Sequence, residues 1–154
     1  MSQEVSVIGI DVGITTGVVI AKVQRGQMPV ILAARTFAVP EYRPDVAAFV
    51  EWVSAHEVER LVVEYPADAQ YSTFRKETIR ARDRWRLAVE DLGKVVQVEV
   101  TEVRPSEWKT SLSGRINVFK ARCNEMWWKA RPSQHERDAA AIIHYLSNLS
   151  ALKP

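Results

Sequence analysis

Two acidic residues stand at the ends of apolar runs. Asp11 closes the run from Val5 to Ile10, and Glu64 closes Leu61-Val62-Val63. If the second run lies parallel beside the first, the two carboxylates project from neighbouring strands about 4.8 Å apart. Carboxylates that close repel each other, and each raises the other's pKa. A divalent cation removes that penalty, and hard oxygen donors at this separation suit Mg²⁺ or Mn²⁺. Near the C-terminus, His135 and Asp138 are three residues apart and share one face of a helix. Ala139, Ile142, Ile143 and Leu146 form the adjoining apolar face. The helix therefore docks on a core and carries an imidazole and a carboxylate at the border of its buried stripe. Asp11, Glu64, His135 and Asp138 are the candidate catalytic and metal-binding residues. Ser133 with Glu136 three residues on is a capping box, which gives Glu136 a structural task at the helix start.

These residues need a scaffold. Residues 5–23 read as a β-hairpin, with Gly13, Ile14, Thr15, Thr16 and Gly17 as its turn. Residues 29–37 read as a third strand. Pro44 and Asp45 open a helix to about residue 55, with Val46, Phe49, Val50 and Val53 on one face. Residues 60–64 form a short, nearly all-apolar strand of the buried parallel kind. A long helix follows over 70–92. Its stripe is Phe74, Thr78, Ala81, Trp85, Ala88 and Leu92, and Gly93 is its expected stop. Residues 95–100 read as the last strand. Helices are expected from Pro105 and over 118–130, with Gly114 between them, and a final helix over 134–149. The order β-β-β-α-β-α-β-α-α predicts one α/β domain over 1–154, a mixed five-stranded sheet with helices on its faces.

Composition limits the function classes. The chain has 154 residues, 47% hydrophobic and 26% charged, which suits a globular domain. No apolar run is long enough to span a bilayer, so no membrane partner is expected. The N-terminus shows no basic segment leading into an apolar stretch, so no signal peptide is read there. The lone Cys123 precludes an intrachain disulfide or a cysteine-based zinc cluster. The expected setting is a reducing cytoplasm. Net charge is +2 but unevenly spread. Residues 1–64 carry 5 basic and 8 acidic side chains, whereas 104–154 carry 9 basic and 4 acidic. The second half thus offers positive charge to a polyanion.

Three segments carry a resemblance to a known family. Gly9-Ile10-Asp11-Val12-Gly13 resembles the first-strand motif of the RuvC-type Holliday junction resolvases, members of the RNase H-like superfamily. Val62-Val63-Glu64 is similar to their second acidic strand. His135-Glu136-Arg137-Asp138-Ala139-Ala140-Ala141 resembles their C-terminal helix motif. The segments span the chain in the family's order. The family commonly has Asp where this chain has His135, a variant some members also show.

The resemblance implies an RNase H-like α/β fold and a Mg²⁺- or Mn²⁺-dependent endodeoxyribonuclease, with two metal ions per site. It implies four-way junction DNA as substrate, a homodimer whose interface is built by the 70–92 helix, and a bacterial or phage source. Paired basic residues before the catalytic helix, here Lys109 and Lys120 with Arg115 and Arg122 beside them, would contact DNA. Arg75, Lys76, Arg80, Arg82, Arg84 and Arg86 would flank it. An aromatic after the Glu64 strand, among Tyr65, Tyr71 and Phe74, would wedge into the junction centre, where stacking on an exposed base suits a ring.

Other readings share some of these residues. A related nuclease acting on flaps, other branches or RNA–DNA hybrids would keep the whole site. A non-cleaving structure-specific DNA-binding protein would keep the basic segment but not metal-dependent nicking. Asp11-Val12-Gly13-Ile14-Thr15-Thr16-Gly17 also resembles the first phosphate loop of sugar-kinase and actin-like ATPases. Those need two such domains to clamp a nucleotide, so no nucleotide cofactor is expected.

Overall fold

A computed structural model of the chain describes residues 4–24, 29–40, 43–66, 75–103 and 134–147. The elements are β1 (Val5–Asp11), β2 (Thr16–Val23), β3 (Val30–Phe37), α1 (Arg43–Ser54), β4 (Arg60–Glu64), α2 (Arg75–Val95), β5 (Glu99–Val103) and α3 (Gln134–Ser147). The strands form one five-stranded sheet in the order β3-β2-β1-β4-β5. β1, β2 and β3 are an antiparallel meander, and β4 and β5 run parallel to β1. This is the expected mixed sheet. β1 lies at its centre, hydrogen-bonded on both sides, so its terminal residue has a strand neighbour on each flank.

Side chains alternate across the sheet. Ile8 and Ile10 of β1, Val18 and Ile20 of β2, and Leu61 and Val63 of β4 face α1 and α2, where Phe49, Trp85 and Leu92 complete the core. Val7, Val19, Ala21, Val62 and Val103 face α3, against Ala139, Ile142 and Ile143. Helices cover both faces, as the alternating pattern predicts. Trp85 and Leu92 are fully buried in the first of these clusters. They are core residues and cannot form a subunit interface.

Three boundaries differ from expectation. Gly17 belongs to β2 and pairs with Asp11, so the hairpin turn is shorter than residues 13–17. Gly93 does not stop α2, which continues to Val95. Leu92 is still packed in the core, and the Val96 N–H donates to the Leu92 carbonyl at 2.8 Å, carrying the helical bonding past the glycine. β5 accordingly begins at Glu99 rather than at residue 95. Its register is fixed by pairing, Arg60 opposite Glu99 and Glu64 opposite Val103. The valines at 95, 96 and 98 imitate a strand in the sequence. In the structure Val96 and Val98 pack partly on the α1/α2 side before the strand starts. The helices expected over 105–130, and the start of the long helix at 70–74, lie outside the described residues.

Candidate active site

Asp11 and Glu64 are register partners across the parallel β1–β4 pair. The Val12 N–H donates to the Glu64 carbonyl at 3.0 Å, so the ladder holds to the very end of both strands. By alternation Asp11 follows Val7 and Gly9, and Glu64 follows Val62. Both carboxylates therefore emerge on the α3 face of the sheet. Glu64 is only 6% exposed, and Asp11 is half-buried. Beyond Asp11 the chain turns sharply. Thr16, fully buried, donates through Oγ1 to the Gly13 carbonyl at 3.1 Å and accepts the Gly13 N–H at 3.3 Å. This closed turn returns β2 immediately beside β1.

Two glycines seat α3 over these acids. A Cβ on Gly17 would lie 2.1 Å from the His135 carbonyl oxygen, and one on Gly9 would lie 2.7 Å from the Ala139 carbonyl oxygen. No side chain fits in such a gap, so the helix backbone rests directly on the strands. Because Gly17 is the register partner of Asp11, the first turn of α3 sits above the strand end that carries Asp11. His135 and Asp138, both half-buried, lie on that turn. The four candidates thus share one face and one edge of the sheet.

Glu136 is 1% exposed, buried as deeply as the apolar residues beside it. The sequence marks it as a cap and leaves open whether it is also a ligand. Glycines inside strands are the signal for such close approach, and Gly9 and Gly17 carry it here.

The donor set is chemically suited to a hard divalent cation. It offers two carboxylates on register partners, a third on Asp138 and one imidazole. Among the described residues, no three His, Cys, Asp or Glu side chains are gathered into a ligand cluster. The backbone brings the four residues to one place, while their side chains do not converge into a shell.

The basic and aromatic candidates divide. Lys76 and Arg80 are exposed on α2, which begins at Arg75. Lys109, Arg115, Lys120, Arg122, Tyr71 and Phe74 lie outside the described residues. Tyr65 is a core residue, 7% exposed, and is unavailable as a wedge. Burial, reinforced by the negative charge of Glu102, pushes its phenol up to about 12. On the other side of the sheet a groove of about 620 Å³ runs between α1 and α2, lined by Pro40, Val46, Val50, Leu87 and Val95, with Arg84 and Asp91 at its walls. No described helix is long and apolar enough to cross a membrane.

No protein-family model matches this sequence, and no curated protein matches it. Solved structures do. RuvC of Thermus thermophilus in complex with a Holliday junction substrate superposes with a TM-score of 0.65 at 19% identity, covering 91% of each chain. The yeast mitochondrial Holliday junction resolvase gives 0.60 at 12% identity, covering 92% of this chain and 78% of the other. Fowlpox virus resolvase with its substrate junction DNA gives 0.55 at 10% identity, covering 95% and 99%. The chain has the RuvC-type RNase H-like fold.

Proposed function

We propose that this protein is a structure-specific DNA endonuclease that resolves four-way junctions as a homodimer by two-metal-ion phosphodiester hydrolysis. One observation carries the reading. Asp11 and Glu64 pair in register beneath the helix turn of His135 and Asp138, in a fold shared with resolvases solved on junction DNA.

In this reading Asp11, at the end of the central strand, would be a carboxylate ligand for the metal ions. Glu64 and Asp138 complete one ligand set from the two sides. His135 binds or orients the attacking water. Mg²⁺ or Mn²⁺, when bound, supplies an activated water and stabilises the leaving oxygen in an in-line displacement. Burial of Glu64 keeps bulk water from its carboxylate and strengthens its attraction to a cation. Lys76 and Arg80 on α2 and the basic segment 104–134 supply phosphate contacts.

A two-fold dimer would present two such sites to a two-fold-symmetric junction. The α1/α2 groove favours a second copy as its occupant. Leu87 is 52% exposed and Val95 is 69% exposed. Two α2 helices crossing antiparallel about Leu87 would set Arg84 against Asp91 of the partner subunit, and the reverse.

The test is cleavage of a synthetic four-way junction with Mg²⁺ or Mn²⁺, beside flap, fork and RNA–DNA hybrid substrates. Paired, symmetric nicks in the junction are expected. Asp11→Asn and Glu64→Gln should each lose more than the roughly 10–100-fold typical of outer-shell changes around a metal. Full activity in either variant would sink the assignment. Preference for a hybrid or flap would redirect it to a related nuclease, and binding without nicking would reduce it to a DNA-binding protein.

A further inference from the structure

Six large apolar side chains stand exposed among the described residues, and the fold puts them in different places. Leu87 and Val95 line the α1/α2 groove. Val30 and Leu32 lie on the edge strand β3 toward the far end of the sheet, where Val30 pairs with Lys22 and Lys22 with Ser6. Val100 is on β5 opposite Leu61, short of the strand end. Ile14, 45% exposed, is the one at the edge where Asp11 and Glu64 emerge. The chain is fixed on both sides of it. Val12 is buried, and its N–H donates to the Glu64 carbonyl. Thr16 is fully buried and holds Gly13 through both its N–H and its carbonyl. Gly17 follows, paired with Asp11 and pressed under α3. Between these anchors only Ile14 and Thr15 are exposed.

We infer that Ile14 is an apolar wedge for the DNA, packing into a base step next to the phosphate presented to Asp11 and Glu64, so that the β1–β2 turn helps to select the bond that is cut. This rests on the proposed junction-cleaving activity. Reach supports it. Ile14 is three residues past Asp11, at most about 10 Å of chain. Successive nucleotides of one strand advance about 3.4 Å, so the side chain meets bases within roughly three steps of that phosphate. The residue type also fits, because proteins that part a base step do so with Phe, Leu, Ile, Met or Pro. Stacking is already interrupted at a branch point, so entry there costs least. A turn clamped at both ends loses little freedom on binding. Tyr65, the residue after Glu64, is buried in the core and leaves this edge to Ile14.

The experiment places 2-aminopurine, which brightens on unstacking, at successive positions around the branch of a synthetic four-way junction. The intact chain is added with a chelator, so that the DNA stays whole, and at concentrations that saturate each variant. The parent should brighten the probe at a position within about three nucleotides of its own cleavage site. Ile14→Ser should abolish that rise and weaken junction binding about 10-fold, with the melting temperature of the parent. Ile14→Leu, which keeps an apolar side chain, should restore both. Val30→Ser, an exposed position at the far end of the sheet, should change neither. An undiminished rise in Ile14→Ser overturns the inference alone. So does a parent that binds and cleaves junctions without brightening any probe near the cut. A parent that neither binds nor cleaves junctions overturns the proposed function and this inference together.

Discussion

The two faces of the sheet are made from alternate residues of the same strands, yet they are packed by different means. On the α1/α2 face the filling is large. Phe49 meets Trp85 edge-on at 5.2 Å, and Phe37 meets Phe49 at 5.8 Å in the same manner. Arg35 extends the aromatic cluster outward, 4.8 Å above Phe37. These rings hold the helices off the sheet. On the α3 face the filling is small. Gly9 and Gly17 meet helix backbone, and Ala139, Ala140 and Ala141 are all buried. The helix comes down onto the strands, and its first turn reaches the end of β1. One face is built for bulk and stability. The other gives up side-chain volume for proximity, and it is the one that carries Asp11, Glu64, His135 and Asp138.

That contrast can be broken from either side. The largest effect on folding should come from Trp85→Ala, which empties the centre of the bulky face and should cost about 3–5 kcal/mol in urea denaturation. Its folded fraction should keep its cleavage rate per molecule, because no site residue touches that ring. Next comes Gly17→Ala. The added methyl collides with the His135 carbonyl, and overpacking of this kind costs about 1–3 kcal/mol. Here cleavage should fall by more than the lost stability explains, since the turn bearing His135 and Asp138 must lift. Gly93→Ala is the matched control. A Cβ there meets nothing within 4 Å, and removing a helix-interior glycine should raise stability by about 0.5–1 kcal/mol.

The smallest effect is a pH dependence on the bulky face. Tyr65 titrates at about 12, against 10.0 for a free phenol, mainly because it is buried. The folded state holds the proton more tightly than the unfolded chain does. Its stabilisation is complete below pH 10 and is lost as pH rises toward 12. The melting temperature of the parent should therefore drop more steeply between pH 10 and 12 than that of Tyr65→Phe. Parallel curves would show that the phenol is not buried in solution.

Much of this arrangement is legible in the residues. The strand of residues 60–64 is short, apolar and closed by an acid. Those properties mark it as a strand of the buried parallel kind with Glu64 at its rim, and the register beside β1 confirms the direction. The stripe of Ala81, Trp85, Ala88 and Leu92 fixes the buried face of α2. Other features were not legible, for reasons that lie outside each segment. Gly93 looks like a stop, yet packing of Leu92 carries the helix past it. The valines after it look like a strand, yet ladder bonding to β4 places β5 further along. Gly17 looks like a turn residue until the close approach of α3 explains it.

The sequence by itself determined the element types, the mixed sheet and which acids end which strands, because period and polarity are local properties of a chain. Tertiary structure decided what stands beside what. It placed Asp11 opposite Glu64, set His135 over Gly17, buried Glu136 and Tyr65, and set Arg86 over the Tyr65 ring. Those outcomes depend on contacts between residues far apart in the chain, where helix approach distance and strand register, rather than local preference, set the energy.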